Sequence, residues 1–170
     1  SFDWFESGSD QQRAIVAGEV HRAATEAGFM YVKNLTIDKQ VVAEAFTSSA
    51  IFLDLSKERK TECYYRPELN HGYQAAGDQR LDSRVAADLK EAFTMRDVPG
   101  DTGLLELWPS AEFTRTAEVM FKTFLEGANQ VMEAFAIALQ LPTKFFRENH
   151  RGENVALRYL HYPMVEYVPD

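Results

Sequence analysis

The sequence predicts an α+β chain in which helices outweigh strands. Apolar residues recur every three or four positions over 10–27, 38–53 and 110–141, the period of a helix with one buried face. The stretches with β-branched and aromatic character, 29–33, 90–98 and 155–163, are short and isolated from one another. No glycine-rich phosphate loop follows a strand and no strand-helix-strand unit repeats, which disfavours a doubly wound nucleotide-binding sheet.

Each element has its own signals. Ile15, Val16, Val20, Ala23, Ala24 and Ala27 line one side of the first helix, with Ser9 placed to cap it and Gly28 to stop it. Phe29-Met30-Tyr31-Val32-Lys33 reads as a strand, and Asn34-Leu35-Thr36 turns it into a second helix whose buried face holds Val41, Val42, Ala45, Phe46, Phe52 and Leu53. Ser56 begins a short helical turn through Arg59 and Lys60. Pro67, Asn70, Gly72 and Gly77 then mark an irregular stretch to about residue 87, and a loop of that length inside a compact chain is often functional. A strand over 90–98 ends at Pro99-Gly100, and a loop carrying Trp108-Pro109 precedes the long helix over 110–141. Phe113, Ala117, Met120, Phe121, Phe124, Ala128, Val131, Met132, Phe135 and Leu139 are its core-facing residues. Pro142 breaks it, a turn with Phe145 and Phe146 follows, and the last strand covers 155–163.

Composition narrows the function classes. A chain of 170 residues, 45% hydrophobic and 26% charged, is large enough to bury a real core. A net charge of −8 with scattered Lys and Arg argues against nucleic acid as a partner. The single cysteine, Cys63, rules out an internal disulfide and a cysteine zinc cluster. No apolar run is long enough for a membrane span, and the N-terminus lacks a signal-peptide pattern, so a soluble cytoplasmic protein without membrane partners is expected.

Four groups of residues, in order, carry a family resemblance. Ala23-Ala24-Thr25-Glu26-Ala27-Gly28-Phe29-Met30-Tyr31-Val32 is similar to a first helix running through Gly-Phe into a core strand. Ile51-Phe52-Leu53-Asp54-Leu55-Ser56-Lys57-Glu58-Arg59-Lys60 matches a segment of Phe, Leu-Ser, charged residues and Lys. Gly72-Tyr73 is followed by Asp88-Leu89-Lys90-Glu91-Ala92-Phe93, and Leu157-Arg158-Tyr159-Leu160-His161-Tyr162-Pro163 ends in Tyr-Pro. Together they resemble the N-terminal part of the isopenicillin N synthase-like family of non-haem Fe(II), 2-oxoglutarate-dependent oxygenases. The resemblance implies a helical layer over 1–153 and, at 154–170, a strand entering a double-stranded β-helix, or jelly roll, whose barrel is incomplete here. It also implies Fe(II) and 2-oxoglutarate as cofactors, O2 as co-reactant, and hydroxylation, desaturation or ring closure of a small molecule.

The chain departs from that family in two places. Asn34-Leu35-Thr36 stands where Asn-His-Gly is usual. More importantly, the second residue after His21, His71, His150 and His161 is Ala, Tyr, Gly and Pro, so there is no His-x-Asp or His-x-Glu, and the Arg-x-Ser that grips 2-oxoglutarate is missing. A ferrous centre of this class needs two imidazoles and a carboxylate on one side. The expectation is therefore a portion of a longer enzyme, with the metal ligands outside these residues.

Residues that are present suggest a partial site. Strand alternation puts Arg158, Leu160 and Tyr162 on one face and Tyr159 and His161 on the other. By resemblance, Tyr162 would donate its phenol to 2-oxoglutarate, and Arg158 would offer a planar fork to substrate. Gln79 and Arg80 with Tyr73, in the long loop, would add substrate contacts; Arg84, Tyr64 and Tyr65 are similar in kind. Structural roles suit the same residues: a packed tyrosine, an ion-paired arginine, a solvated loop, a structural salt bridge at Glu91. His71 reads as a loop histidine, His21 as solvated and Cys63 as a packed thiol. A non-catalytic binding module, or an oligomerisation module using the 110–141 helix, stays open beside the oxygenase reading.

Overall fold

Helices dominate in the computed structural model, which describes residues 1–3, 5, 8–79, 88–96, 107–150 and 155–164. Five helices are described: α1 (Asp10–Glu26), α2 (Lys39–Leu53), α3 (Lys57–Thr61), α4 (Ala111–Ala138) and α5 (Phe145–Asn149). Three strands, β1 (Gly72–Gln74), β2 (Glu91–Arg96) and β3 (Ala156–His161), form one antiparallel sheet in the order β1-β2-β3. The α+β expectation holds, with a small open sheet and no closed barrel among the described residues. Residues group into two units, each discontinuous in sequence: Ser1–Ala43 with Glu118–Arg151, and Glu44–Ala117 with Gly152–Asp170. The strand entering at 154–170 thus shares a unit with β1 and β2.

In the first unit, α1 starts where Ser9 predicts. The Ser9 hydroxyl accepts from the Gln12 amide at 3.4 Å while the Gln12 side chain accepts from the Ser9 N–H at 2.8 Å, a reciprocal cap that satisfies two otherwise orphaned donors. Gly28 ends the helix in the left-handed region at φ 74°, its N–H reaching the Ala23 carbonyl at 3.0 Å. Val16 and Val20 then pack with Phe2, Phe5 and Ala134, and Met30, Val32, Leu35, Val131 and Phe135 lean on that cluster. Arg147 ties α5 to α4 through Glu126 and Glu133.

The strand predicted at 29–33 does not form. Its residues do alternate, Met30 and Val32 inward, Phe29 and Tyr31 outward with 88% and 101% exposure. Composition favours the extended conformation, but a strand exists only when a neighbour supplies its ladder. Among the described residues no strand pairs with it, and it lines a cleft of about 350 Å³ with Val16, Glu19, Val20 and Ala23 of α1. Asn34, at φ 59°, takes the turn in the left-handed conformation that asparagine tolerates, with its amide on Asp3 at 2.6 Å.

In the second unit, β2 is central and its inner face meets an aromatic cluster. Phe52 of α2 stands 5.8, 5.5 and 5.4 Å from the rings of Tyr73, Phe93 and Phe113, and Phe93 is 4.9 Å from Phe113 of α4. A Ser48–Thr116 hydroxyl contact of 2.7 Å joins α2 to α4 within this cluster. β1 is not legible as a strand from sequence: three residues beginning with glycine carry no alternation, and only pairing with β2 makes them one.

Gly72 is required by its surroundings. Its φ is 117°, and a Cβ there would stand 2.8 Å from the Cys63 and Tyr64 carbonyl oxygens and from the Tyr65 Cα. That backbone cannot yield, because the adjacent Tyr73 N–H bonds the Cys63 carbonyl at 2.7 Å and the Tyr65 N–H bonds the Tyr73 carbonyl at 2.8 Å. Gly77 has φ 92° but open space. Urea unfolding should show Gly72→Ala costing about 3 kcal/mol or more, a sum of left-handed strain and overpacking, and Gly77→Ala only about 1–2 kcal/mol from strain alone. Equal losses would contradict the close-approach account.

Candidate functional site

The sheet has two chemically different faces. Register places Thr94 opposite Arg158 and Gly72, and Ala92 opposite Leu160 and Gln74, so Gln74, Ala92, Thr94, Arg158 and Leu160 share one face. Tyr73, Glu91, Phe93, Met95, Tyr159 and His161 share the other, which faces the aromatic cluster. The predicted division of Arg158 and Leu160 from Tyr159 and His161 holds.

On the cluster side, Glu91 is the polar centre. Its side chain is 7% exposed, and its two oxygens are engaged by three donors from three elements. Lys60 of α3 lies at 2.7 Å, the Tyr73 hydroxyl of β1 at 2.5 Å and His161 of β3 at 2.7 Å. Lys60 also donates to the Leu53 carbonyl at 2.9 Å. Burial alone would raise the Glu91 carboxyl, but the hydrogen bonds from His161, Lys60 and Tyr73 outweigh it and hold the group below the ordinary range. Burial, and then the Glu91 bond, pushes the Tyr73 phenol well up. Tyr73 is therefore a core residue, 2% exposed, and the expected substrate contact is not where the structure puts it. The salt-bridge reading of Glu91 is the one the geometry supports.

His71 also belongs to the core, against the loop reading. It is fully buried, edge-on to Phe93 at 5.3 Å and to Trp108 at 4.6 Å, and among the described residues neither ring nitrogen makes a well-formed hydrogen bond, the Leu107 backbone being the polar group that acts on it. Burial lowers its proton affinity against a weaker opposing pull from the Leu107 backbone. The Tyr159 hydroxyl is likewise buried and without a partner among the described residues, and burial pushes its phenol up to about 12. Cys63 is a packed thiol, raised by burial.

On the opposite face, Arg158 donates from Nε to the Thr94 hydroxyl at 3.0 Å and from Nη2 to the Gln74 side-chain oxygen at 3.3 Å. Gln79 donates to that same oxygen at 2.8 Å. Two predicted features, Arg158 and Gln79, thus meet at Gln74, while Tyr162 follows the end of β3 and is 68% exposed. Gln74 and Thr94 join them. Neither stands out in the sequence, since Gln74 sits in an apparent loop and Thr94 is an ordinary strand residue until register places it opposite Arg158. Arg80 and Arg84 lie outside the described residues. The loop is pinned at Tyr64, whose hydroxyl donates to Asp78 at 2.7 Å, and at Tyr65, whose hydroxyl donates to Asn70 at 2.8 Å.

This surface can present a cation, amides and a phenol to a small polar molecule. It does not fit iron: among the described residues no three His, Cys, Asp or Glu side chains are grouped as a metal would need. The histidine paired with a carboxylate, His161 on Glu91, is on the cluster side and is engaged in holding the sheet.

The cluster side sets the pH and mutational response of the second unit. Lys60→Met or Glu91→Gln alone should each cost about 3–5 kcal/mol, because one buried partner is left uncompensated, and the double variant should cost less than their sum by about 1–3 kcal/mol. Since the folded Glu91 value is depressed, its contribution is complete above the ordinary 4.5 and fades as pH falls through the lower native value, so parent and Glu91→Gln should converge in acid. Additive denaturant midpoints would contradict the coupling. His71 acts separately: the native ring resists a proton that the unfolded chain takes up below 6.5, so stability drops as pH falls below that value. His71→Leu should be at least as stable as the parent at neutral pH and show a shallower decline across that window.

Comparison with known proteins places these observations in a family. A family model described as non-haem dioxygenase in morphine synthesis, N-terminal, matches residues 2–111. A 2-oxoglutarate-dependent dioxygenase of Didymella fabae is 29% identical over 94% of this chain and 54% of its own length. The proline hydroxylase buaE of Petromyces alliaceus is 27% identical over 96% of this chain and 54% of its own. A full-length Neurospora crassa protein, crystallised in complex with alpha-KG, superposes with a TM-score of 0.80 and 29% identity, over 95% of this chain and 53% of that one. The chain thus spans about half the length of the relatives it matches. With that family model covering well over half of its residues, the chain belongs to the non-haem dioxygenase N-terminal family.

Proposed function

We propose that the protein carrying this chain is an Fe(II)- and 2-oxoglutarate-dependent oxygenase that hydroxylates, desaturates or cyclises a small molecule. The observation that supports the reading is the outward face of the sheet, where Arg158, Gln74 and Gln79 join on the side away from the aromatic cluster, with Tyr162 exposed just past the end of β3. In this reading that face is part of the pocket wall, and Tyr162 donates its phenol to the carboxylate of 2-oxoglutarate. Leu160, Tyr162 and Met164 are 48%, 68% and 102% exposed, and β3 has no strand beyond it among the described residues, as expected of a jelly roll whose remaining strands lie elsewhere. The iron ligands are assigned to the half of the relatives that this chain does not span. Bound iron would supply the oxidising chemistry, while the residues here orient the substrate and shield the site from water.

The proposal extends to a cytoplasmic protein whose partners are its substrate, 2-oxoglutarate and O2, with neither nucleic acid nor membrane. The net charge of −8 supports the exclusion of nucleic acid. Among the described residues no helix is long and apolar enough to cross a membrane.

The test is direct. Full-length protein supplied with ferrous iron should bind 2-oxoglutarate, and release succinate with O2 consumption. Tyr162→Phe should weaken 2-oxoglutarate binding about tenfold, the size of one hydrogen bond to a charged group, with little change in the melting midpoint of the ligand-free protein because only a hydroxyl is removed. Full-length protein that binds neither iron nor 2-oxoglutarate would leave the non-catalytic binding or oligomerisation module as the reading.

A further inference from the structure

The guanidinium of Arg158 is held by neutral side chains across the sheet. Several cations here sit on carboxylates: Arg59 on Glu62, Arg115 on Glu112, Arg147 on Glu126 and Glu133, Lys90 on Asp88 and Lys60 on Glu91. Arg158 instead rests on two neutral acceptors, the Thr94 hydroxyl and the Gln74 amide oxygen. Its charge therefore has no counter-ion among the described residues.

The hold is also built to last. Thr94 is 2% exposed, so its hydroxyl is fixed by the sheet, and it donates in turn to Gln74 at 3.4 Å. Arginine can only donate, so Gln74 must present its oxygen, and Gln79 must then present its amide nitrogen, at 2.8 Å. Nε and one Nη2 hydrogen share the long edge of the guanidinium, and that edge is occupied. Among the described residues the end formed by Nη1 and the second Nη2 hydrogen has no partner, a planar pair of donors with the spacing of a carboxylate.

We infer that Arg158 is the carboxylate-binding residue for the substrate, with Thr94 and Gln74 as positioning residues that fix its fork, so that the substrate class is a small carboxylic acid. The role as substrate rests on the oxygenase reading; the binding chemistry does not. The carboxylate is the substrate's own and not that of 2-oxoglutarate. Binding measured without 2-oxoglutarate separates the two carboxylates.

The experiment compares acids with their own primary amides on the full-length protein: phenylacetate, 3-phenylpropionate and N-acetylglycine, each against its carboxamide, without 2-oxoglutarate. At least one acid should bind about tenfold or more tightly than its amide, the worth of a charge-assisted pair. Arg158→Gln should reduce that ratio to within about twofold, Arg158→Lys should restore part of it, and Thr94→Val and Gln74→Leu should each lower it about threefold while Thr94→Ser keeps it. Melting midpoints of the variants check that each is folded, and Arg158→Lys keeps the test open where Arg158→Gln fails to fold. No acid preference in the parent, or a preference that survives Arg158→Gln, would overturn the inference. So would an Arg158→Gln variant that loses 2-oxoglutarate while keeping the acid preference, since the arginine would then serve the cosubstrate. Failure of the oxygenase reading is read separately, as a parent protein that does not bind 2-oxoglutarate with iron.

Discussion

The buried carboxylate of Glu91 is the constraint on which the second unit depends. A lone carboxylate at 7% exposure would be pushed toward neutrality, yet here it stays ionised because three donors converge on it. Those donors come from α3, β1 and β3, so one side chain on the central strand fixes a helical turn and both neighbouring strands to itself. The Coulombic gain alone would not repay the desolvation of Lys60 and Glu91. What the network adds is register: a slip of one residue in either strand would turn Tyr73 or His161 to the other face and leave Glu91 short of a donor.

Once register is fixed this way, the outward face follows without further choice. Thr94 must stand opposite Arg158, and Gln74 must lie one row along. The polar array therefore inherits its rigidity from a network on the opposite side of the same strands. Gly72 serves the same end, since its missing side chain lets β1 approach the backbone of residues 63–65 and brings Tyr73 and Gln74 to their two faces.

The helices are legible in the sequence because their period is local: the long 110–141 pattern corresponds to α4 at Ala111–Ala138, and Ser9 and Gly28 bracket α1 as composition requires. Strands are legible only where alternation is strong. β3 is, and so are its two faces; β1 is hidden inside a glycine-containing stretch; and 29–33 has strand composition with no strand formed, because pairing is a property of the neighbour. The site divides in the same way. Arg158, Tyr162 and Gln79 are visible as residue types suited to a polar ligand, whereas Gln74 and Thr94 acquire a role only from cross-strand register. Tyr73 looks like a binding-loop residue by position, yet its hydroxyl is committed to Glu91. His71 escapes sequence reasoning for a related cause: burial of a histidine between Phe93 and Trp108 is tertiary and leaves no mark on flanking sequence.

The two extended segments with alternating exposure share one physical condition. At 29–33, Phe29 and Tyr31 point outward from a backbone without a strand partner among the described residues; along β3 and just past its end, Leu160 and then Tyr162 and Met164 are exposed, and β3 is paired on one side among the described residues. Exposed aromatic side chains and unpaired backbone edges are costs that a soluble protein covers or blunts. Neither segment is blunted: Lys33 and Arg158 are the charges within them, and Arg158 is drawn sideways onto Thr94 and Gln74 instead of standing out as a guard. In the proposed oxygenase, whose relatives are about twice as long as this chain, added strands would be the covering for both. A pocket would then arise where a covered sheet still keeps a charged, pre-aimed side chain on its inner wall, and on this sheet Arg158 is the side chain held in that manner.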